Sequence, residues 1–225
     1  FVADIAHEIK NPLSSLRNAV ETAHRVDDQK QRNKLLAIVS QDVTRLDRLL
    51  SEIADASRID TEMSRAKVKT VDIKGVLQML VEMQRPSLKS EGLSLTLDLI
   101  GNEPFLVDGV EDRLVQVFQN LLSNAQSFTP SGTCIRIIVE RMNGYLGIDF
   151  IDQGPGVIED SREAIFDRFH TLRPKHESFG AHSGLGLSIS RQIVNAHGGT
   201  IHCRNMQTNN GKILGACFSI KLPLA

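Results

Sequence analysis

The sequence predicts an antiparallel helical hairpin that pairs with a second copy into a dimeric four-helix bundle, followed by an α/β sandwich. Three observations carry that expectation. Residues 1–62 contain one Pro and no Gly, with apolar side chains at helical spacing. From residue 63 to 225, strand-like runs mix with amphipathic helical ones. Asn-Gly and Gly-Gly pairs mark the ends of those runs, as turns require.

In the first part, Ile5, Ile9, Leu16 and Val20 fall on one side of a helix. Leu35, Val39, Val43, Leu46, Leu50 and Ile53 step by 4, 4, 3, 4 and 3, a coiled-coil-like seam on a second helix. A mainly polar run, Val26-Asp27-Asp28-Gln29-Lys30, separates the two. One apolar stripe per helix leaves a lone hairpin poorly covered, so a homodimer is the physical expectation.

The seam stops near residues 61–65, and the second part begins. Residues 93–99 alternate like a half-buried strand. Residues 110–128 place apolar side chains at 114, 118, 121, 125 and 128 and read as a helix. The runs 135–139 and 146–151 flank Met142-Asn143-Gly144, a hairpin signal. Residues 185–196 predict a further helix closed by Gly198-Gly199, and 201–203 and 216–222 the last strands. Strands in antiparallel pairs with helices set apart imply one sheet covered by helices.

Composition narrows the function classes. Lys and Arg total 26 against 27 Asp and Glu, for a net charge of −1. That balance argues against a nucleic-acid partner or a polybasic membrane patch. With no Trp and only Tyr145, there is little material for stacking bases. No apolar run approaches the ~18 residues of a membrane span. Cys134, Cys203 and Cys217 are too far apart and odd in number for a disulfide framework or a metal site, and read as small core fillers.

His7 lies roughly 200° around the first helix from Ile5, away from the apolar side. Glu8 adjoins it and Asn11 follows one turn later on the same face. A neutral imidazole is a competent nucleophile, a neighbouring carboxylate can hold its other nitrogen, and an amide can orient a water. Taken alone, the same residues read more readily as a solvated polar face.

On the helix of residues 110–128, Gln116, Asn120, Asn124 and Ser127 fall within roughly ±40° of one another. Asn in a helix interior costs up to ~0.7 kcal/mol relative to Ala, so a merely solvated face would carry Glu or Lys instead. Amide oxygens one turn apart can hold a hard cation such as Mg²⁺, which makes Asn120 and Asn124 candidate metal ligands. In Asp152-Gln153-Gly154-Pro155-Gly156, an acid able to accept from the adenine amine precedes two glycines that permit close backbone approach. An isolated run of this kind is also an ordinary tight turn. Ser183-Gly184-Leu185-Gly186-Leu187 leads directly into a helix, where free N–H groups favour anions. It fits neither G-x-G-x-x-G nor a Walker A loop.

Phe1 to Leu13 resembles the H-box of bacterial sensor histidine kinases. Residues 116–129 resemble the N-box, 152–156 the G1 box, Ile165-Phe166-Asp167-Arg168-Phe169 the F-box and 184–187 the G2 box of their Bergerat-fold ATPase domain. Five boxes in order cover essentially the whole chain. The runs 45–60 and 179–199 are most similar to the ChvG/BvrS type of alphaproteobacteria. The resemblance implies a phosphotransfer hairpin at 1–62, an ATP-binding domain at 63–225 and an ATP lid at about 170–183. It implies that His7 accepts a phosphoryl group from ATP and passes it to an aspartate on a response regulator receiver domain. Glu8 would act as base, Asn11 would support dephosphorylation of the partner, and Pro12 would bend the helix. ATP and Mg²⁺ are the implied ligands, with Asn124 on the metal, Asn120 near the phosphates and Asp152 on adenine. Gly154, Gly156, Gly184, Leu185, Gly186 and Leu187 would line the pocket, with Phe169 of the F-box beside it.

The sequence departs from the family at Ser127 and Thr171, where many members carry Lys and Arg. Arg168, Arg173 or Lys175 could replace the lost charge, and modest ATP affinity is the expectation. The rivals are a free-standing ATPase of the gyrase or Hsp90 class and a catalytically weak scaffold that binds nucleotide and regulator. The first needs a glutamate near Asn120, since an amide cannot be the base that activates water. His170, His176 and His182 match no standard zinc spacing, and His24, His197 and His202 read as surface or turn residues. Phe1 opens in mid-pattern, without a cap. With the resemblance, that implies a cytoplasmic fragment of a parent anchored in the bacterial inner membrane through an N-terminal sensor region.

Overall fold

Helix α1 spans Val2–Ala23 and α2 Gln29–Arg65, antiparallel to each other. The computed structural model describes residues 2–102, 104–168, 170 and 184–225, and their side chains except those of residues 2–8, 45, 48, 52, 56, 60–62, 64 and 65. The loop between the helices is tied at both ends. Asp28 accepts the Lys30 N–H at 2.8 Å, and Arg32 donates to the Val26 carbonyl at 2.8 Å.

The predicted seam divides in two. Pro12, Ala19, Asp42 and Leu49 are buried within the hairpin. Leu13, Val20, Leu36, Val43 and Leu50 are exposed, at steps of 7 within each helix. In sequence these two faces look like one, because their periods coincide.

Beyond the hairpin come β1 (Lys69–Asp72), α3 (Ile73–Ser90), β2 (Ser94–Ile100), β3 (Leu106–Gly109) and α4 (Glu111–Phe128). Next follow β4 (Cys134–Met142), β5 (Tyr145–Ile151), α5 (Gly186–Ala196), β6 (Thr200–Gln207) and β7 (Ile213–Pro223). Short 3₁₀ turns occupy Glu159–Ser161 and Ala164–Phe166. The sequence reading names neither α3 nor the strands β1 and β3. Asp72 caps α3 by accepting the Lys74 N–H at 3.1 Å, and Ile73, Val76, Leu77, Leu80 and Val81 are its buried face.

Five strands form one sheet in the order β2-β4-β5-β7-β6, while β1 pairs with β3 separately. The expectation of antiparallel pairs fails at one place: β2 and β4 run parallel, Leu95 opposite Ile135. The chain between them passes through β3 and α4, a crossover that returns it in the same direction. The other pairs of this sheet are antiparallel.

The core lies between the sheet and the helices. Phe118 of α4 stacks on Phe150 of β5 at 6.0 Å, and Phe166 meets Phe218 of β7 edge-on at 6.3 Å. Burying side chains such as Leu114, Phe118 and Leu121 contributes about 1.5–3 kcal/mol each. That anchors the rotation of α4 and turns Asn120 and Asn124 away from the sheet. The far end of α2 joins this core through Ile59, which is fully buried. Nearby, Asp55 accepts from Gln116 Nε2 at 3.4 Å and lies 4.0 Å from Arg113. Among the described residues, no helix is long and apolar enough to cross a membrane.

Candidate functional site

The site is built along α4. Asn120 and Asn124, one turn apart, are both half-buried. The Asn120 amide Nδ2 donates to the Gly186 carbonyl at 3.1 Å and to Ser190 Oγ at 3.4 Å. Its Nδ2 is therefore committed to the first turn of α5, and its Oδ1 is left for another donor or a cation. Ser127 turns back on its own helix, donating to the Ser123 carbonyl at 3.1 Å. Gln116, on the same predicted stripe, instead faces Asp55 of α2, so the stripe serves two surfaces.

The start of α5 meets α4 at Asn120. Gly184 has φ 70°, in the left-handed region that favours glycine. Leu185 is buried, and Leu187 is half-buried against the same core, so both anchor the turn from beneath. Gly186 differs from Gly154 and Gly156. A Cβ there would lie 3.6 Å from Asn120 Cγ, ordinary contact distance, so the protein itself leaves room at this point. The first N–H groups of α5, which have no intrahelical partner, add an anion-favouring end beside the amide.

At the other end of α4 lies Asp152. It is buried, and its Oδ1 accepts the Gly154 N–H at 2.8 Å and the Ala216 N–H at 3.0 Å. Burial pushes its carboxyl above the usual range, against the opposing pull of those two N–H groups. Its Oδ2 has no partner among the described residues. A Cβ on Gly154 would lie 2.6 Å from the Phe128 carbonyl, and one on Gly156, at φ 75°, 2.6 Å from Ile213 Cγ2. These two glycines are expected from sequence to permit ligand approach, and in the structure each also packs closely on the protein's own chain. Because Gly154 touches Phe128, the Asp152 loop and the α5 N-terminus sit eight residues apart on α4, roughly 12 Å at 1.5 Å per residue.

Three supports of this loop escaped sequence reasoning. Asn205 of β6 accepts the Val157 N–H at 2.7 Å and donates to its carbonyl at 2.8 Å. Gly215 has φ 154°, and a Cβ there would fall 1.9 Å from the Asp152 carbonyl oxygen. Arg191 of α5 lies 5.4 Å over the Phe166 ring, 3.2 Å from Asp167 and 3.8 Å from Glu163, fixing the F-box turn. The glycine signal at 215 was present in the sequence, but nothing marked which strand position opposed it.

Arg168 is exposed just beyond that turn. Phe169, Thr171, Arg173, Lys175, His176 and His182 lie outside the described residues, as does the lid apart from His170. His7 and Glu8 are carried by α1, with their side chains outside the description; Asn11 is exposed, and Pro12 is buried inside the helix. His197 sits in the turn that closes α5, one of the two places expected from sequence, and it is also a structural tie. Its Nδ1 donates to the Ile193 carbonyl at 2.8 Å and its Nε2 accepts the Val110 N–H at 3.0 Å, joining the end of α5 to the start of α4. No group of three or more His, Cys, Asp or Glu could hold a metal among the described residues.

An antiparallel helical hairpin leads directly into an α/β sandwich, and two family models match these two parts. Residues 1–62 match the family described as His Kinase A (phospho-acceptor) domain. Residues 109–225 match the Histidine kinase-, DNA gyrase B-, and HSP90-like ATPase family. The chain belongs to the sensor histidine kinases.

Among its relatives, Sensor protein ChvG of Rhizobium meliloti (strain 1021) is 43% identical over 231 residues, 99% of this chain and 40% of that protein. Sensor protein ChvG of Agrobacterium fabrum is 41% identical over 233 residues, covering 100% of this chain and 39% of the relative. The chain thus spans about two fifths of the length of these relatives. Histidine kinase ThkA, solved in complex with response regulator protein TrrA, shares the fold at TM-score 0.79 and 23% identity, over 100% of this chain and 61% of that one. Full-length ShkA, solved in complex with AMPPNP, aligns at TM-score 0.66 and 25% identity, over 99% and 45%.

Proposed function

We propose that this chain is the kinase core of a two-component sensor, transferring the γ-phosphoryl group of ATP to His7 and from there to an aspartate of a response regulator. The observation that carries the reading is the set of unspent acceptors along α4. Among the described residues, Asn120 Oδ1 and Asp152 Oδ2 have no protein partner, and a Cβ on Gly186 would meet Asn120 at ordinary contact distance. Asp152 suits the adenine amine, and the α5 N-terminus suits the phosphates. Asn124, with Asn120, has the oxygen chemistry to hold Mg²⁺, which when bound would neutralise phosphate charge.

On α1, Glu8 would hold and activate the His7 imidazole, and Asn11 would orient water for the reverse dephosphorylation. The domains divide at 1–62 and 63–225, with residues 170–183 as the lid. A second copy fits the exposed heptad face of Leu13, Val20, Leu36, Val43 and Leu50, which a lone hairpin leaves to water. The regulator complex of ThkA and the AMPPNP complex of ShkA support the partner and the ligand. The greater length of the ChvG relatives supports a parent that carries a membrane-anchored sensor region.

Isothermal titration tests the nucleotide half of this reading. ATP is expected to bind in the presence of Mg²⁺, with modest affinity because Ser127 replaces a cation. Asn124→Ala and Asp152→Ala are each expected to lower binding at least tenfold, by roughly one lost charge-assisted or buried hydrogen bond. Unaltered binding in both variants would reject the site.

A further inference from the structure

Asn120 can serve a cation only if its amide oxygen, not its nitrogen, faces the ligand. The neighbours on α5 decide this. The Gly186 carbonyl can only accept, and it lies 3.1 Å from Nδ2. Ser190 is completely buried and spends its single hydroxyl proton on that same carbonyl, at 2.8 Å. Toward Asn120, 3.4 Å away, it therefore has only lone pairs to offer. Both neighbours demand a donor, and the side-chain amide has one donor end. A rotated amide would set its oxygen against two acceptors.

We propose that Ser190 is a positioning residue of the kinase site, locking the Asn120 amide so that Oδ1 faces the nucleotide-bound cation. A buried hydroxyl between the core residues Ile189 and Ile193 otherwise has no packing task that Ala would not fill. Ser188 gives the contrast on the same helix: its Oγ donates to the Leu185 carbonyl at 2.8 Å, with no bond to Asn120. The inference rests on the nucleotide reading of the site proposed above.

The test compares ATP affinity in excess Mg²⁺ with that in EDTA, by titration of the full chain, with thermal melts confirming the fold. Ser190→Ala is expected to lose roughly three- to tenfold of the Mg²⁺-supported affinity, the span of one modest hydrogen bond, while affinity in EDTA stays within twofold. Ser188→Ala is expected to leave the Mg²⁺-to-EDTA ratio unchanged. In an Asn120→Ala background, Ser190→Ala should cause no further loss, since the group it orients is gone. Equal losses in Mg²⁺ and EDTA, or a full second loss in the Asn120→Ala chain, would overturn the positioning role. So would a Ser190→Ala chain that keeps native Mg²⁺-supported affinity. If the native chain binds ATP in neither condition, the nucleotide reading itself falls and this inference with it.

Discussion

The Asp152 carboxylate reaches from the end of β5 to the backbone of β7, accepting the Ala216 N–H at 3.0 Å across 64 residues of sequence. The same oxygen accepts from Gly154, so one buried acid both shapes its loop and keeps a second oxygen unspent. Burial raises its pKa, which fixes the sign of its pH dependence. Stability from the neutral acid is fully present below the unfolded carboxylate pKa and is lost as pH rises through the raised folded value. Asp152→Asn keeps an oxygen for both N–H groups and removes the buried charge. That variant is expected to melt at or above the native temperature at neutral pH, with the gap shrinking as pH falls through the carboxylate range, yet to lose ATP binding. Melting curves across pH, paired with titration, check both halves.

Gly215 is the backbone counterpart of that acid. Its φ of 154° and the 1.9 Å that would separate a Cβ from the Asp152 carbonyl leave no room for a side chain. Backbone cannot swing aside as a long side chain would. Gly215→Ala is expected to cost at least about 2 kcal/mol, measured by urea denaturation, and to weaken ATP binding through the displaced loop.

Cys203 and Cys217 are held as thiols. Burial pushes Cys203 up to about 12 and Cys217 up to about 11, chiefly by desolvating the thiolate. Since the thiolate is the reactive form, both should alkylate at pH 8 at least tenfold more slowly in the folded chain than in urea. Peptide mass spectrometry after timed iodoacetamide treatment reads this directly. Fast modification of Cys217 in the folded chain would contradict its burial.

Arg191 clamps the 3₁₀ turn at Ala164–Phe166. It holds Asp167 at 3.2 Å and covers the Phe166 ring at 5.4 Å, partly exposed throughout. Arg191→Ala is expected to cost only about 1 kcal/mol in stability, as half-exposed ion pairs and cation–π contacts are worth that much. Arg191→Lys, which keeps the charge but not the planar stacking, should recover less than half of it in the same denaturation assay.

Much of this architecture is written in side-chain periodicity. The apolar positions 114, 118, 121 and 125 predict α4 and are all buried, so the outward stripe of Asn120 and Asn124 follows from the sequence. The hairpin and the β4–β5 turn are equally local signals. What periodicity does not carry is pairing. Alternation at 93–99 marks a strand but says nothing of direction, and β2 runs parallel to β4. The clamp of Asn205 on Val157, the contact of Gly215 with Asp152 and the bond from Asn120 to Ser190 depend on strand register and helix docking. In α2, two apolar faces share one spacing, so Leu49 inside and Leu50 outside look alike until the hairpin is folded.

Incubation with γ-labelled ATP and Mg²⁺ tests the central claim most directly, comparing the native chain with His7→Gln. The native chain is expected to take up acid-labile, base-stable label that maps to the α1 peptide, and His7→Gln to take up none. Label that persists undiminished in His7→Gln would contradict it.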